Sequence, residues 1–236
     1  MFDDLTRFLA ILTEGVATTV FVTVGGIILA TVMSFVAGLC MLSRSTSLRV
    51  VSRIYVEVWR GTSEVVQLFW IFFALPVLIG FQLVPLWAGV LVLGINHGAY
   101  GAEIVRGAVQ AVPRAQYEGA IALNFTPAQR ILRVILPQAL VEMVPPFNNL
   151  FIQLLKGSAL VSLVFLEDIT YQATEVLLPT NSRQAFTILL LLLMLYLVLS
   201  VLITAVMRRV ERRAAALVGR GPSAEASDRA ALMGGV

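Results

Sequence analysis

Between Ala185 and Met207 the chain carries no charged residue, and Arg208, Arg209, Arg212 and Arg213 then end the run abruptly. A helix needs about 20 predominantly apolar residues to cross a bilayer, so this segment is predicted to span one. Four further apolar runs precede it, over about residues 15–42, 51–81, 86–105 and 136–166. In hydrocarbon every backbone polar group must be paired inside the segment, which leaves helices for runs of this length. The composition agrees. At 58% hydrophobic and 13% charged, the chain lies far from the roughly 45–50% and about 25% of soluble domains. The predicted class is an all-α integral membrane protein of about five transmembrane helices. A soluble domain and a disordered chain are both excluded.

Charge sets the expected orientation. Basic segments follow runs one, three and five, whereas the N-terminus, the link after run two and the connector over 167–183 are acidic or uncharged. An odd number of spans, with the N-terminus outside and the C-terminus in the cytoplasm, places every basic cluster inside. The net charge of +3 therefore reads as membrane orientation rather than as a nucleic-acid footprint. Residues 1–14 place Phe8, Leu9 and Leu12 at helical spacing among charges, which predicts an interfacial amphipathic segment. Asp3 and Asp4 stand where a signal peptide would be basic, so no cleaved leader is expected. Residues 15–213 are read as the transmembrane domain, and the Gly/Ala/Ser-rich stretch 214–236 as a disordered cytoplasmic tail. Cys40 is the single cysteine, so no intrachain disulfide is available.

Polar residues inside these runs are the candidates for function, because a charge at mid-bilayer costs about 2.5–3.5 kcal/mol on insertion scales. In run two, Glu57, Arg60, Glu64 and Gln67 recur every three or four residues and are predicted to share one helical face. Glu57 and Arg60 are read as a structural or gating pair, with Glu64 and Gln67 deeper. Run three holds Asn96 and His97; a lone histidine suits helix–helix hydrogen bonding or a place on a pathway. Run four is read as broken at Pro145-Pro146, with Asn148, Asn149, Gln153 and Lys156 beyond the break. These line a cavity, with Lys156 meeting a substrate carboxylate beside an acid such as Glu142 or Glu64, or else form a packing network from which Lys156 snorkels outward.

The loop over about 106–135 is too structured for a connector. Pro113 suits a helix start, Thr126-Pro127 supplies a second cap and first turn, and apolar residues are spaced as helical faces between them. Two short helices separated by a turn would project into the cytoplasm as a docking knob, or else the loop is an amphipathic stretch packed back on the membrane face.

This stretch, AQYEGAIALNFTPAQRILRVILPQAL, resembles the EAA loop of binding-protein-dependent ABC importer permeases. Glu118, Gly119 and Ala120 fall on the EAA positions, Asn124 on the glycine, and Val134, Leu136 and Pro137 on the I-x-L-P. Arg60-Gly61-Thr62, Gln67-Leu68-Phe69, His97-Gly98-Ala99-Tyr100, Ala102–Gly107 and Phe151–Lys156 extend the resemblance to the polar amino-acid uptake branch over about residues 16–207. Ser63 and Gly157-Ser158-Ala159 depart from the branch's usual Pro and Asp-Thr-Ser, and the ectoine/hydroxyectoine permeases look similar there.

The resemblance implies a type I ABC importer permease in the bacterial plasma (inner) membrane, half of a translocation pathway for a polar amino acid or zwitterionic solute. Its implied partners are an ATP-binding cassette subunit, a second permease chain, identical or related, and an extracytoplasmic solute-binding protein. The chain lacks G-x-x-x-x-G-K-[ST], so no cofactor is expected in it; ATP and Mg²⁺ would sit on the ATPase. Glu118 is then a polar anchor for coupling and Ala120 a small residue allowing close approach. Two alternatives remain at this level. One is a secondary transporter or channel, and the other an intramembrane serine hydrolase using Ser158 and His97.

Overall fold

The computed structural model describes residues 2–217, and its elements are helices. α1 (Phe2–Glu14) and α2 (Val16–Met41) meet at Gly15. α3 (Thr46–Arg60), α4 (Glu64–Ile79), α5 (Pro85–Ala111) and the short α6 (Arg114–Ala122) follow. α7 (Pro127–Val164) closes in a tight 3₁₀ turn, α8 covers 169–180, and α9 (Ala185–Leu217) is last. Residues 214–217 continue α9, and the rest of the expected tail lies outside the described residues.

Asp4–Met41, α7 and Ser182–Ala216 are each long and apolar enough to cross a bilayer; α3 and α4 pass only as a bent pair. α5 has 27 residues, about 40 Å at the usual rise. Its Asn96 and His97 make it polar, and it buries both. The five apolar runs thus become three apolar helices, one sheltered polar helix and one elbow.

The elbow corrects the reading of run two as one helical face. α3 and α4 differ in direction by 100°. Gly61 ends α3, and Ser63 takes the extended backbone of a helix N-cap before Glu64. Glu57 and Arg60 therefore belong to one helix and Glu64 and Gln67 to the other.

Run four needs the opposite correction, since Pro145 and Pro146 lie inside a continuous helical stretch, Leu136–Gly157. Their missing N–H groups cost hydrogen bonds to the residues four before, and packing of this segment against α5 and α9 holds the helix together. The backbone adjusts elsewhere. Wide π-turns over Trp70–Ala74, Arg130–Ile135 and Gln172–Leu177 are each followed by Leu-Pro. A proline ring clashes with the carbonyl four residues back, and widening the preceding turn relieves that clash.

α2 and α5 form the central pair. Their approach is set by small residues, because apolar attraction between helices is weak in lipid and close van der Waals contact replaces it. A Cβ on Gly98 would stand 2.6 Å from that of Met33, and one on Gly38 would stand 2.7 Å from the Ala102 carbonyl oxygen. The Ser34 hydroxyl donates to Ala30 O at 2.6 Å and approaches Gly98 O at 3.3 Å. α7 packs on this pair, and α9 packs on α7. α1 buries Phe8 and Leu12 against Ile169, Ala173 and Leu177 of α8 and Ile188 of α9.

Candidate functional site

α6 and the start of α7 form a knob at one end of the helical body. Local chemistry explains its turn. The Asn124 N–H donates to Ile121 O at 2.9 Å and the Phe125 N–H to Ala120 O at 3.0 Å, while Asn124 takes φ 57°. This is a Schellman C-cap with Asn in the left-handed position usually held by Gly. Two residues on, Thr126 Oγ1 accepts from the Gln129 N–H and Gln129 Oε1 accepts from the Thr126 N–H at 2.9 Å, a full capping box. The π-turn and Leu136-Pro137 then lead into the body, with Pro137 half-buried.

Two hydrogen bonds tie the knob back. The Tyr117 hydroxyl donates to Val109 O at 3.1 Å, and Gln138 Nε2 donates to Gln116 Oε1 at 3.2 Å. Tyr117's partial burial pushes its phenol above the usual range, so it remains a donor at neutral pH. Glu118 and Gly119 are exposed, and a Cβ on Gly119 would meet nothing within 4 Å. Ala120 is buried in this chain, so its small size serves the knob's own packing before any partner's approach. Leu123 and Leu132 stay exposed beside Glu118's helix, at 70% and 63%. An exposed carboxylate with apolar neighbours on a rigid turn suits protein docking.

A second polar group lies inside the body, where α3, α4, α5 and the end of α7 converge. Gln67 Nε2 donates to Trp59 O at 2.9 Å and Thr62 Oγ1 at 2.6 Å, and Gln67 Oε1 accepts from Asn96 Nδ2 at 2.9 Å. Asn96 Nδ2 also reaches Trp59 O at 2.9 Å. The amides of α4 and α5 thereby satisfy the carbonyl at the end of α3 and pin the elbow. His97 Nδ1 lies 3.1 Å from Leu93 O, which selects the tautomer with the proton on that nitrogen. His97 Nε2 faces Glu64 Oε1 at 3.8 Å. Gly157 closes the group, since a Cβ there would stand 3.1 Å from Glu64 Oε2 and 3.7 Å from His97 Cε1.

Of the residues read from the sequence, Glu64, Gln67 and His97 thus come together. Glu57 and Arg60 stay exposed on α3, and Arg60 lies over the Tyr100 ring at 5.0 Å. No ion pair joins Arg60 to Glu57 or Glu64 among the described residues. Asn149, Gln153 and Lys156 are exposed on α7, and Asn148 is half-buried. Lys156 forms no ion pair with Glu64 among the described residues. The Ser158 hydroxyl is buried and donates to Leu155 O at 2.7 Å, while His97 faces Glu64. There is no Ser–His dyad here.

One group was not singled out from the sequence. Asp168, buried, caps α8 by accepting from the Tyr171 N–H at 2.8 Å, and the Tyr196 hydroxyl donates to its other oxygen at 3.3 Å. Tyr196 also shares a 2.8 Å bond with Thr170, and the Ile169 N–H donates to Thr19 Oγ1 at 3.1 Å. Burial raises the Asp168 carboxyl above its ordinary range, against those hydrogen bonds. Asp168-Ile169 reads as an acidic N-cap; its partners 28 and 150 residues away leave no local signal.

The model of the family of binding-protein-dependent transport system inner membrane components matches residues 26–216. The chain belongs to that family. The permease is 43% identical over 213 residues to a probable amino-acid ABC transporter permease of Sinorhizobium fredii, covering 88% of this chain and 89% of that one. The glutamine transport system permease of Escherichia coli is 32% identical, covering 86% and 92% respectively. A crystal structure of an amino-acid ABC transporter with histidines superposes with a TM-score of 0.80 at 30% identity, over 90% of this permease and 98% of that chain. A methionine ABC transporter in an inward-facing conformation shares the fold, with a TM-score of 0.73 at 22% identity over 88% and 98%. The chain is the permease component of an amino-acid ABC importer, a non-catalytic membrane subunit. This replaces both alternatives, the secondary transporter or channel and the serine hydrolase.

Proposed function

We propose that the Glu118 knob transmits ATP-driven closure of a separate ATPase dimer to the membrane helices, moving a polar amino acid or related zwitterion such as ectoine inward. The observation that carries this is the knob itself: a doubly capped turn, tied back by Tyr117 and Gln138, presenting Glu118 with Leu123 and Leu132. A rigid, exposed turn can transmit displacement, whereas a loose one would absorb it. The permease pairs with a second permease chain, identical or related, in the bacterial inner membrane, with N-terminus outside and C-terminus in the cytoplasm. A solute-binding protein delivers cargo from outside, and ATP and Mg²⁺ bind the ATPase.

The pathway runs beside the exposed Gln153 and Lys156 of α7, where Lys156 offers a cation to a carboxylate. Glu64, with His97 and Gln67 behind it, offers an anion at the elbow. A two-state swing of α3 against α4 about Gly61–Ser63 would change access to it. Leu123→Cys is expected to form a disulfide with a cysteine scanned through the ATPase surface, and nucleotide state should change its yield. Equal cross-linking from Val24→Cys, on the lipid-exposed face of α2, would show the contact to be random.

A further inference from the structure

Two cavities adjoin along α9 and share Thr204 and Arg208. One, of about 230 Å³, is lined by Ser200, Val201, Thr204, Ala205 and Arg208. The other, of about 220 Å³, extends across to Pro145, Asn148 and Asn149 on α7 and down to Glu211. The α9 positions recur every three or four residues, so they form one stripe. From Ser200 to Glu211 that stripe rises about 16 Å. It begins apolar and ends charged. The Thr204 hydroxyl is turned onto its own helix, donating to Ser200 O at 3.0 Å.

The charged end is unpaired. Arg208 and Glu211 lie one turn apart and both line the cavity, yet no ion pair joins them among the described residues. Such a groove asks for an anion at Arg208 and a hydrogen-bond-donating cation at Glu211, joined to an apolar tail. Its charged end belongs to the basic end of α9, where hydrocarbon gives way to headgroups.

We propose that this groove binds a phospholipid with a primary ammonium headgroup, of the phosphatidylethanolamine type. The phosphate lies on Arg208, the ammonium donates to the Glu211 carboxylate, and an acyl chain follows Val201 and Ala205. A choline headgroup carries the same charges but has no N–H to donate. A glycerol headgroup has no cation, and leaves Glu211 facing a phosphate. The site is independent of the coupling role given to Glu118.

The test is native mass spectrometry of the full chain, co-purified with its ATPase, delipidated and exposed to equimolar ethanolamine, choline and glycerol phospholipids. The ethanolamine lipid is expected to be retained about tenfold over choline, and successive N-methylation of the headgroup should lower retention stepwise. Glu211→Gln should remove that preference and Arg208→Gln should weaken retention of all three, whereas Arg213→Gln, which does not line the groove, should change neither. The headgroup series uses the unaltered protein, so it decides even if a variant misfolds. Equal retention of ethanolamine and choline lipids would overturn the proposal. Displacement of the lipid by millimolar amino acids would make the groove a cargo site instead, and a disulfide between two copies of Thr204→Cys would make it a permease–permease interface; either result sinks it.

Discussion

Glu118→Lys is expected to abolish uptake while leaving the permease inserted and folded. Glu118 is exposed on α6, makes no ion pair among the described residues, and lies five residues before the exposed Leu123. Reversing its charge changes nothing inside the chain. At a docking surface it puts a cation where a carboxylate was matched, and breaking a matched charge pair at an interface typically costs 2–5 kcal/mol. That corresponds to about 30-fold or more in coupling affinity. ATP hydrolysis should continue without transport. The measurement is solute uptake and ATPase activity in the same vesicles, at matched permease levels. Normal uptake would remove Glu118 from coupling. Gly119→Ala, beside it, meets open space and replaces a helical glycine, so it should gain about 0.5–1 kcal/mol of helix stability.

Gly15→Ala is expected to be strongly destabilising. Its Cβ would overlap the Asp168 carbonyl carbon and stand 2.5 Å from both Asp168 O and Ile169 N. These are backbone atoms at the start of α8, and they cannot rotate away. Moving them pulls on the Ile169–Thr19 bond and on the buried Asp168–Tyr196 contact. Overpacking typically costs about 1–3 kcal/mol, and a strained buried carboxyl adds to it. Thermal unfolding in detergent should fall by several degrees, with Gly119→Ala as the control that does not fall. An unchanged midpoint would mean that α1, α2 and α8 are not locked together at this point.

The knob was legible because its signals are local. A proline, an Asn able to take positive φ, and Thr-Pro-Ala-Gln at capping-box spacing specify two short helices and a turn without reference to the rest of the chain. The elbow was legible too, but outweighed. Gly61-Thr62-Ser63 before Glu64 is a C-cap followed by an N-cap, yet the polar spacing from Glu57 to Gln67 continues across it as if on one helix. Pro145-Pro146 misled in the other direction. Proline marks a break in water, but within packed membrane helices neighbouring elements hold the backbone in place. The convergence of Glu64 with His97, and of Asp168 with Tyr196, depends on which helices pack. No spacing rule reports that.

This chain is expected to move cargo only when a separate ATPase grips its Glu118 knob. Proteoliposomes should be prepared with the permease alone and with permease plus its ATPase, each supplied with loaded solute-binding protein and internal or external ATP. Uptake only in the second set, only with ATP on the ATPase side, and lost with Glu118→Lys is the predicted result. ATP-independent uptake by the permease alone, driven by an ion or proton gradient, would contradict it.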